Sequence, residues 1–134
     1  MYTIALIFLA GASYALLHHS LTTRQPTPLA DEKNIAYTID GKSIKLVNGV
    51  SDLPIVPGSS SRLITRYFGN ELKTDLDDDG REDVVFLLTQ ESGGSGVYFY
   101  VVAARNTPNG YIGSDGYLLG DRVAPQTTGL SQHP

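Results

Sequence analysis

The distribution of hydrophobic and polar residues divides the chain into three regions, and each region predicts a different element. Residues 2–17 are uncharged and mostly apolar, which is typical of a hydrophobic helix. Residues 24–34 are mostly polar and contain Pro26 and Pro28, which favour an extended linker. From Ile35 onwards apolar residues recur at every second position, the period of a half-buried β-strand. The pattern predicts a β domain at residues 35–134, preceded by a linker and a hydrophobic segment.

The segment at residues 1–23 is predicted to be a transmembrane anchor or a signal peptide. As a helix, residues 2–17 span roughly 24 Å, short of the ~30 Å hydrocarbon core, and the following residues supply the remaining length. Small residues around Gly11 would suit a signal peptidase, but no Lys or Arg precedes the apolar run. A buried core helix is the third alternative. We expect a single-pass anchor, with secretion after cleavage as the alternative.

Period-two segments bounded by turn residues predict about six antiparallel strands. In the first hairpin, Asp40-Gly41 favours a type I′ turn that pairs Tyr37 with Ile44 and places the apolar side chains on one face. Asn48-Gly49 and residues 54–61 are predicted to end this hairpin, and no helical period follows residue 34. The predicted strands cover residues 35–39, 42–46, 62–68, 83–90, 97–105 and 111–120.

These strands predict a mainly β fold, an antiparallel meander that forms either a partly closed barrel or a sheet covered by its own loops. The strands at 83–90 and 97–105 are nearly continuous apolar runs. We therefore expect them at the centre of the sheet, covered on both faces.

Composition excludes several classes of protein. The chain has no Cys, which excludes a disulfide scaffold, a Cys-liganded metal site and a thiol nucleophile. Ten Lys and Arg stand against fourteen Asp and Glu without a basic cluster, so we expect no binding to nucleic acid.

Catalytic patterns are weak in this sequence. All three histidines lie near the chain ends, at His18, His19 and His133, so the β domain has no His to serve a Ser-His-Asp triad. We therefore expect a protein that is not an enzyme. The alternative is a carboxylate-dependent hydrolase of cell-envelope polymers, which would use Glu71 or Glu91 together with Asp115 or Asp121.

The negative charge is concentrated at residues 75–83, which carry six acidic residues and one basic residue in the pattern D-x-D-x-D-G-x-x-D. Alternate residues of a tight loop can direct their carboxylates inward, and Ca²⁺ takes six to eight oxygen ligands. Gly80 permits the reversal, Arg81 can offer its backbone carbonyl, and Asp83 would close the shell. Asp78 and Glu82 would point outward. A magnesium site or a solvated acidic turn are the alternatives.

The spacing resembles the calcium-binding loops of FG-GAP repeats, found in integrin α-subunits and bacterial β-propellers. That resemblance implies side-chain ligands at Asp75, Asp77, Asp79 and Asp83, with a carbonyl ligand at Arg81. An EF-hand is excluded, because its twelfth position requires Glu and here falls on Phe86. The match covers about a dozen residues and occurs once, so it implies the loop and not a propeller.

A wider resemblance covers residues 35–128. The stretches TRYFGNELKTDLDDDGREDVVFLLTQ, GGSGVYFYVVAA and LLGDRVAPQTT are similar to a group of small exported bacterial proteins of unassigned function. Members of that group typically continue beyond the point where this chain stops. The resemblance implies an exported location and a shared fold, without implying an activity.

Two signals give opposite orientations for the β domain. Arg24 and Lys33 follow the apolar run, which by the positive-inside rule favours a cytoplasmic domain. The calcium-type loop favours the outside, where calcium reaches millimolar concentrations that fill weak sites. We expect a membrane-anchored extracytoplasmic module that binds a ligand or supports the envelope. Its partner would be a protein or a glycan, and an aromatic face would come from Tyr98, Tyr100, Tyr111 and Tyr117.

Overall fold

The computed structural model describes residues 31–131, which form eight β-strands and no helix. The mainly β prediction is confirmed for this part of the chain. The strands are β1 (Ala36–Ile39), β2 (Lys42–Lys45), β3 (Val50–Pro54), β4 (Arg62–Thr74), β5 (Asp83–Glu91), β6 (Tyr98–Thr107), β7 (Gly110–Gly113) and β8 (Tyr117–Asp121).

The predicted anchor or signal peptide at residues 1–23 lies outside the described residues, as does most of the linker at 24–34. Within 31–131, no helix has the length and apolar character needed to cross a membrane.

Six of the strands form one antiparallel sheet in the order β3-β4-β5-β6-β7, with β8 also paired to β6. The sheet is curled into a half-barrel. The central position predicted for β5 and β6 is confirmed, because β5 pairs with β4 and β6 while β6 pairs with β5, β7 and β8. The prediction of a single meander is wrong in two respects: β1 and β2 form a separate two-stranded sheet, and β8 pairs with β6 rather than with β7.

The first hairpin has the predicted turn and register. Tyr37 faces Ile44 and Ile39 faces Lys42, as the type I′ turn requires. Asp40 and Gly41 have φ angles of 50° and 76°, the left-handed values of that turn. Local turn chemistry and hydrophobic pattern agree here, which is why the sequence is sufficient to predict the pairing.

Strand β3 was not predicted. Asn48 and Gly49, with φ angles of 50° and 80°, make a second tight turn that reverses the chain into β3. The strand then pairs with β4 over its full length. Its apolar residues Val50 and Leu53 are exposed and break the period-two pattern, so hydrophobic alternation gives no signal for it.

The strand predicted at 111–120 is divided into β7 and β8, which pair with successive parts of β6. Between them the chain turns towards β1. The Thr38 N–H donates to Ser114 O at 3.2 Å, and the Gly116 N–H donates to Thr38 O at 2.7 Å. The break therefore connects the hairpin to the far edge of the half-barrel.

Strand β4 is bent, which helps to curl the sheet. Its pairing with β5 shifts register on both sides of Gly69, where the φ angle is 114°, and Asn70 follows with a φ of 52°. Such β-bulges bend a strand and increase its local twist.

The core lies between the hairpin and the concave face of the sheet. The Tyr37 ring meets the Phe86 ring edge-on, with 5.6 Å between their centroids, and the Tyr67 ring lies 5.1 Å from Phe86 on another side. The buried cluster comprises Ile35, Tyr37, Ile39, Ile44, Leu46, Val84, Phe86, Leu88, Tyr100, Val102 and Ala104. Packing of this kind contributes about 1.5–3 kcal/mol for each large apolar side chain that leaves water.

The convex face of the central strands is also partly covered. Leu87 and Phe99 are buried there, and the Phe68 ring packs edge-on against Phe99 at 5.1 Å. A groove on this face is lined by Leu87 together with part of the C-terminal tail, residues 123–129. The prediction that β5 and β6 are covered on both faces is confirmed in part, because Val85 and Val101 remain partly exposed on this face.

We predict that Gly113→Ala destabilises the domain. A Cβ at this position would lie 2.1 Å from the Ala36 carbonyl oxygen and 2.8 Å from the Tyr37 ring. Relieving this clash requires a shift of the backbone of β1 or β7. We therefore expect a loss of about 2–3 kcal/mol in the free energy of unfolding, measured by urea denaturation. Gly94→Ala is the control, since a Cβ there meets nothing within 4 Å. Equal stability of the two variants would contradict the close approach of β1 and β7.

Candidate metal centre

Three aspartates meet in the loop between β4 and β5. One carboxylate oxygen from each of Asp75, Asp77 and Asp83 lies within 4.8 Å of the other two. Oxygens that share a Ca²⁺ ion at 2.3–2.6 Å are separated by at most about 5 Å. This cluster could therefore hold a metal ion, and three of the four predicted carboxylates belong to it.

Asp83 is the fixed member of the cluster. It opens β5 and is fully buried, with 0% of its surface exposed. Its carboxylate accepts the Leu76 N–H at 2.8 Å and the Asn106 N–H at 2.7 Å. A buried carboxylate that accepts two backbone N–H groups is well satisfied, and here the two bonds join the loop to β6.

Asp75 shapes the loop. Its two carboxylate oxygens accept the N–H groups of Asp79 at 3.1 Å and Gly80 at 2.7 Å. The reversal passes through Asp78 and Gly80, with φ angles of 58° and 84°, and a glycine adopts such values without strain. The loop thus returns to β5 in the way that the Asp-Gly spacing predicts.

Asp79 does not join the other three carboxylates. It accepts the Arg81 backbone N–H at 2.8 Å and the Arg81 guanidinium at 2.7 Å. These contacts, led by the backbone hydrogen bond, lower the pKa of Asp79. The structure therefore brings together Asp75, Asp77 and Asp83 but turns Asp79 towards Arg81, whereas Asp78 and Glu82 are exposed as expected.

Asp77 carries the electrostatic strain of the loop. Partial desolvation raises the pKa of its carboxyl group, and the negative charges of Asp79, Asp83 and Asp75 raise it further, while a hydrogen bond from the Asp79 backbone offsets part of the rise. The Arg105 guanidinium approaches Asp77 only to 3.7 Å, an exposed and loose ion pair. A proton or a cation near Asp77 would relieve this repulsion.

Two residues of this centre were missed by the sequence interpretation. Arg105 and Asn106 lie on β6, more than twenty residues beyond the loop, and reach it only because β6 pairs with β5. The sequence around them is typical of the end of a strand and has no metal-binding motif. Only the strand order would have indicated that they adjoin the acidic loop.

The predicted aromatic face is divided between three environments. Tyr98 and Tyr100 lie together on β6, beside the tip of the first hairpin. Tyr111 packs against the core. Tyr117 is 72% exposed on β8. Tyr98 and Tyr100 line the same cleft.

The carboxylates of the hydrolase alternative lie on different elements. Glu71 accepts a hydrogen bond from the Tyr67 hydroxyl on β4, and Glu91 forms an ion pair with Arg66 at the end of β5. Asp121 accepts the Val97 N–H at 2.9 Å. Each of these three carboxylates thus has a polar partner in the structure.

We predict that Asp83→Asn destabilises the domain even in a metal chelator. The amide cannot accept hydrogen bonds with both of its polar atoms, so one buried backbone N–H loses its acceptor. The expected loss is about 1–3 kcal/mol in the free energy of unfolding, measured by urea denaturation. Asp78→Asn changes the charge equally at an exposed left-handed position that Asn tolerates, and should have little effect. Equal stability of the two variants would show that Asp83 is not structural.

No protein-family model matches the chain, and neither the curated proteins nor the solved structures include a significant match.

Proposed function

We propose that the chain is a membrane-anchored β domain that faces the outside of the cytoplasm and contains a structural Ca²⁺ site at residues 75–83. In this proposal the domain acts as a binding or envelope-structural module. The observation that carries it is the approach of the Asp75, Asp77 and Asp83 carboxylates to within 4.8 Å of one another.

The donor set favours calcium over the other common cations. All three side chains offer hard carboxylate oxygens, which suit Ca²⁺ and Mg²⁺, and the chain has no Cys to provide a soft ligand. Calcium accepts irregular arrangements of six to eight oxygens, whereas magnesium requires a near-ideal octahedron. A loop with three side-chain carboxylates, to which the carbonyl of Arg81 and waters can add, fits calcium better.

The cation would act on stability. Its charge would offset the repulsion that raises the pKa of Asp77, and its bonds would join the exposed Asp77 to the buried Asp83. Because Asp83 is bonded to the Asn106 N–H, this support would extend from the β4–β5 loop to β6.

The location is supported by the sequence. The apolar run at residues 2–17 suits an anchor, and a weak calcium site is filled at the millimolar calcium found outside cells. At the sub-micromolar calcium of the cytoplasm such a loop would bind little cation. A domain that calcium stabilises would therefore be suited to a location outside the cytoplasm.

We predict that calcium raises the melting temperature of the full-length chain in a mild non-ionic detergent. At about a hundredfold excess over the dissociation constant, the stabilisation is about 2.7 kcal/mol. For a domain of this size we expect a shift of about 10 °C or more, measured by differential scanning calorimetry.

Asp77→Ala should abolish this shift, and in chelator it should melt at or above the temperature of the unmodified chain, because it removes the repelled carboxylate. Glu82→Ala makes the same change in net charge outside the cluster and should keep the shift. An unchanged melting curve with calcium or chelator would refute the calcium site. A larger increase in melting temperature with magnesium would show that the site prefers magnesium.

We also predict that the β domain is accessible from outside the cytoplasmic membrane. In spheroplasts of a bacterial host that expresses the chain with a C-terminal tag, added protease should remove the tag while a cytoplasmic marker survives. Protection of the tag until the membrane is permeabilised would place the domain in the cytoplasm.

A further inference from the structure

The hairpin β1–β2 is shorter than the strands that it covers, and this leaves a cleft at one mouth of the half-barrel. The hairpin ends at Asp40 and Gly41, while the concave face of the sheet continues beyond it. The cleft has a volume of about 290 Å³. Ligand sites in β-barrels commonly lie in such mouths. The walls include Asp40, Leu63, Gln90, Tyr98, Tyr100 and Leu118.

A carboxylate is held rigidly at the edge of this cleft. Asp40 occupies a left-handed turn position, and its Oδ2 atom accepts the Tyr100 hydroxyl at 2.8 Å. Burial, together with this bond, raises the pKa of Tyr100 to about 12, so the phenol keeps its proton and remains the donor. The other oxygen of Asp40 can accept a hydrogen bond or face a positive charge.

The side walls are aromatic and aliphatic. The Tyr98 ring is 44% exposed and backs onto Gly96, where an added Cβ would lie 3.2 Å from the ring. Leu63 and Leu118 complete the apolar lining. An exposed aromatic ring attracts cations to its face, and apolar walls suit alkyl groups on such a cation.

The floor of the cleft contains a polar side chain that is held in place by a hydrogen bond. Gln90 is 8% exposed, and its Nε2 atom donates to the Thr65 hydroxyl at 3.1 Å, which fixes the amide plane. Thr65 is itself buried. A positioned amide of this kind can orient a ligand hydroxyl or ammonium group.

The charge of the cleft is negative. Among the described residues, those that line it include two carboxylates and no Lys, Arg or His. The Glu91 carboxylate is engaged by the Arg66 guanidinium, so Asp40 supplies the charge that a ligand would meet. This arrangement repels anions and favours a ligand with one positive charge.

We propose that this cleft binds a small alkylammonium ion, with the cation between the Asp40 carboxylate and the face of the Tyr98 ring. The proposal names a ligand class for the binding role proposed above and rests on that role, but not on the calcium loop. The cleft lies near the end of β5 at Glu91, about 27 Å along the strand from Asp83 at its start.

The test uses isothermal titration calorimetry of the full-length chain in a non-ionic detergent, with choline as the probe. Its uncharged tert-butyl isostere has the same shape without the charge, and a neutral disaccharide represents a sugar ligand. We expect choline to bind and the two neutral compounds to fail. Glycerophosphocholine is the fourth probe, because the same ammonium group can come from a lipid head group. Binding of either choline compound supports the proposal. Whichever of the two binds more tightly shows whether the ammonium group comes from a free ion or from a lipid head group.

Two variants test the assigned residues. Asp40→Asn keeps the left-handed turn, which Asn tolerates, and removes the charge. Tyr98→Ala removes the ring. Each should weaken choline binding about tenfold. Tyr117→Ala is the matched control, since it removes an exposed tyrosine of β8 that does not line the cleft. Melting curves of all three variants establish that they are folded.

The outcomes separate this proposal from the previous one. Equal binding of choline and its isostere, binding of the disaccharide alone, or absence of binding would each overturn the alkylammonium site. The same holds if Asp40→Asn binds choline as tightly as the unmodified chain. Titrations are run in calcium and in chelator, so a calcium shift without choline binding rejects the cleft alone, and choline binding without a calcium shift rejects the metal site alone.

Discussion

The packing of the hairpin β1–β2 into the concave face of the sheet is the contact on which the rest of the structure depends. A half-barrel cannot bury its inner face by itself, and here Tyr37, Ile39 and Ile44 supply the missing apolar surface. The edge-on contact between Tyr37 and Phe86 fixes the hairpin near the middle of β5. Both the seam with residues 114–116 and the cleft beyond Asp40 follow from where the hairpin starts and ends.

The acidic loop shows how a fold can hold negative charges close together. Backbone N–H groups are directed at the carboxylates of Asp75 and Asp83, and Arg81 satisfies Asp79. These bonds fix the shape of the loop by themselves. Asp77 differs from these residues, because desolvation and its acidic neighbours raise the pKa of its carboxyl group and its ion-pair partner is the exposed guanidinium of Arg105. A bound cation would therefore act first on the carboxylate of Asp77.

The features that could be predicted from the sequence are those fixed by near neighbours. The Asp40-Gly41 turn sets the hairpin register, and the apolar runs in β5 and β6 identify the central strands. The D-x-D-x-D-G-x-x-D pattern places Asp75, Asp77 and Asp83 in one tight loop, and in the structure their three carboxylates approach one another.

The features that were missed depend on distant contacts or on competition between partners. The break between β7 and β8 forms because Thr38, more than seventy residues earlier, supplies hydrogen bonds to it. Arg105 and Asn106 adjoin the loop only through strand pairing. The direction of Asp79 depends on whether its carboxylate faces the cluster or the Arg81 guanidinium, and spacing alone does not decide this.

The edge of the half-barrel at β3 affects how the molecule behaves among its own copies. An unpaired strand edge is a template for aggregation, and natural proteins limit the risk with short edges, charges and proline. Within the described residues β4 is the one strand that pairs with β3, and Val47 bridges to Val50 at its start. Strand β3 spans five residues and ends at Pro54, which has no N–H to donate. The exposed side chains of Asp52 and Arg62 form an ion pair and place charged groups beside that edge. An open sheet built in this way can remain monomeric at concentrations where a longer bare edge would seed fibrils.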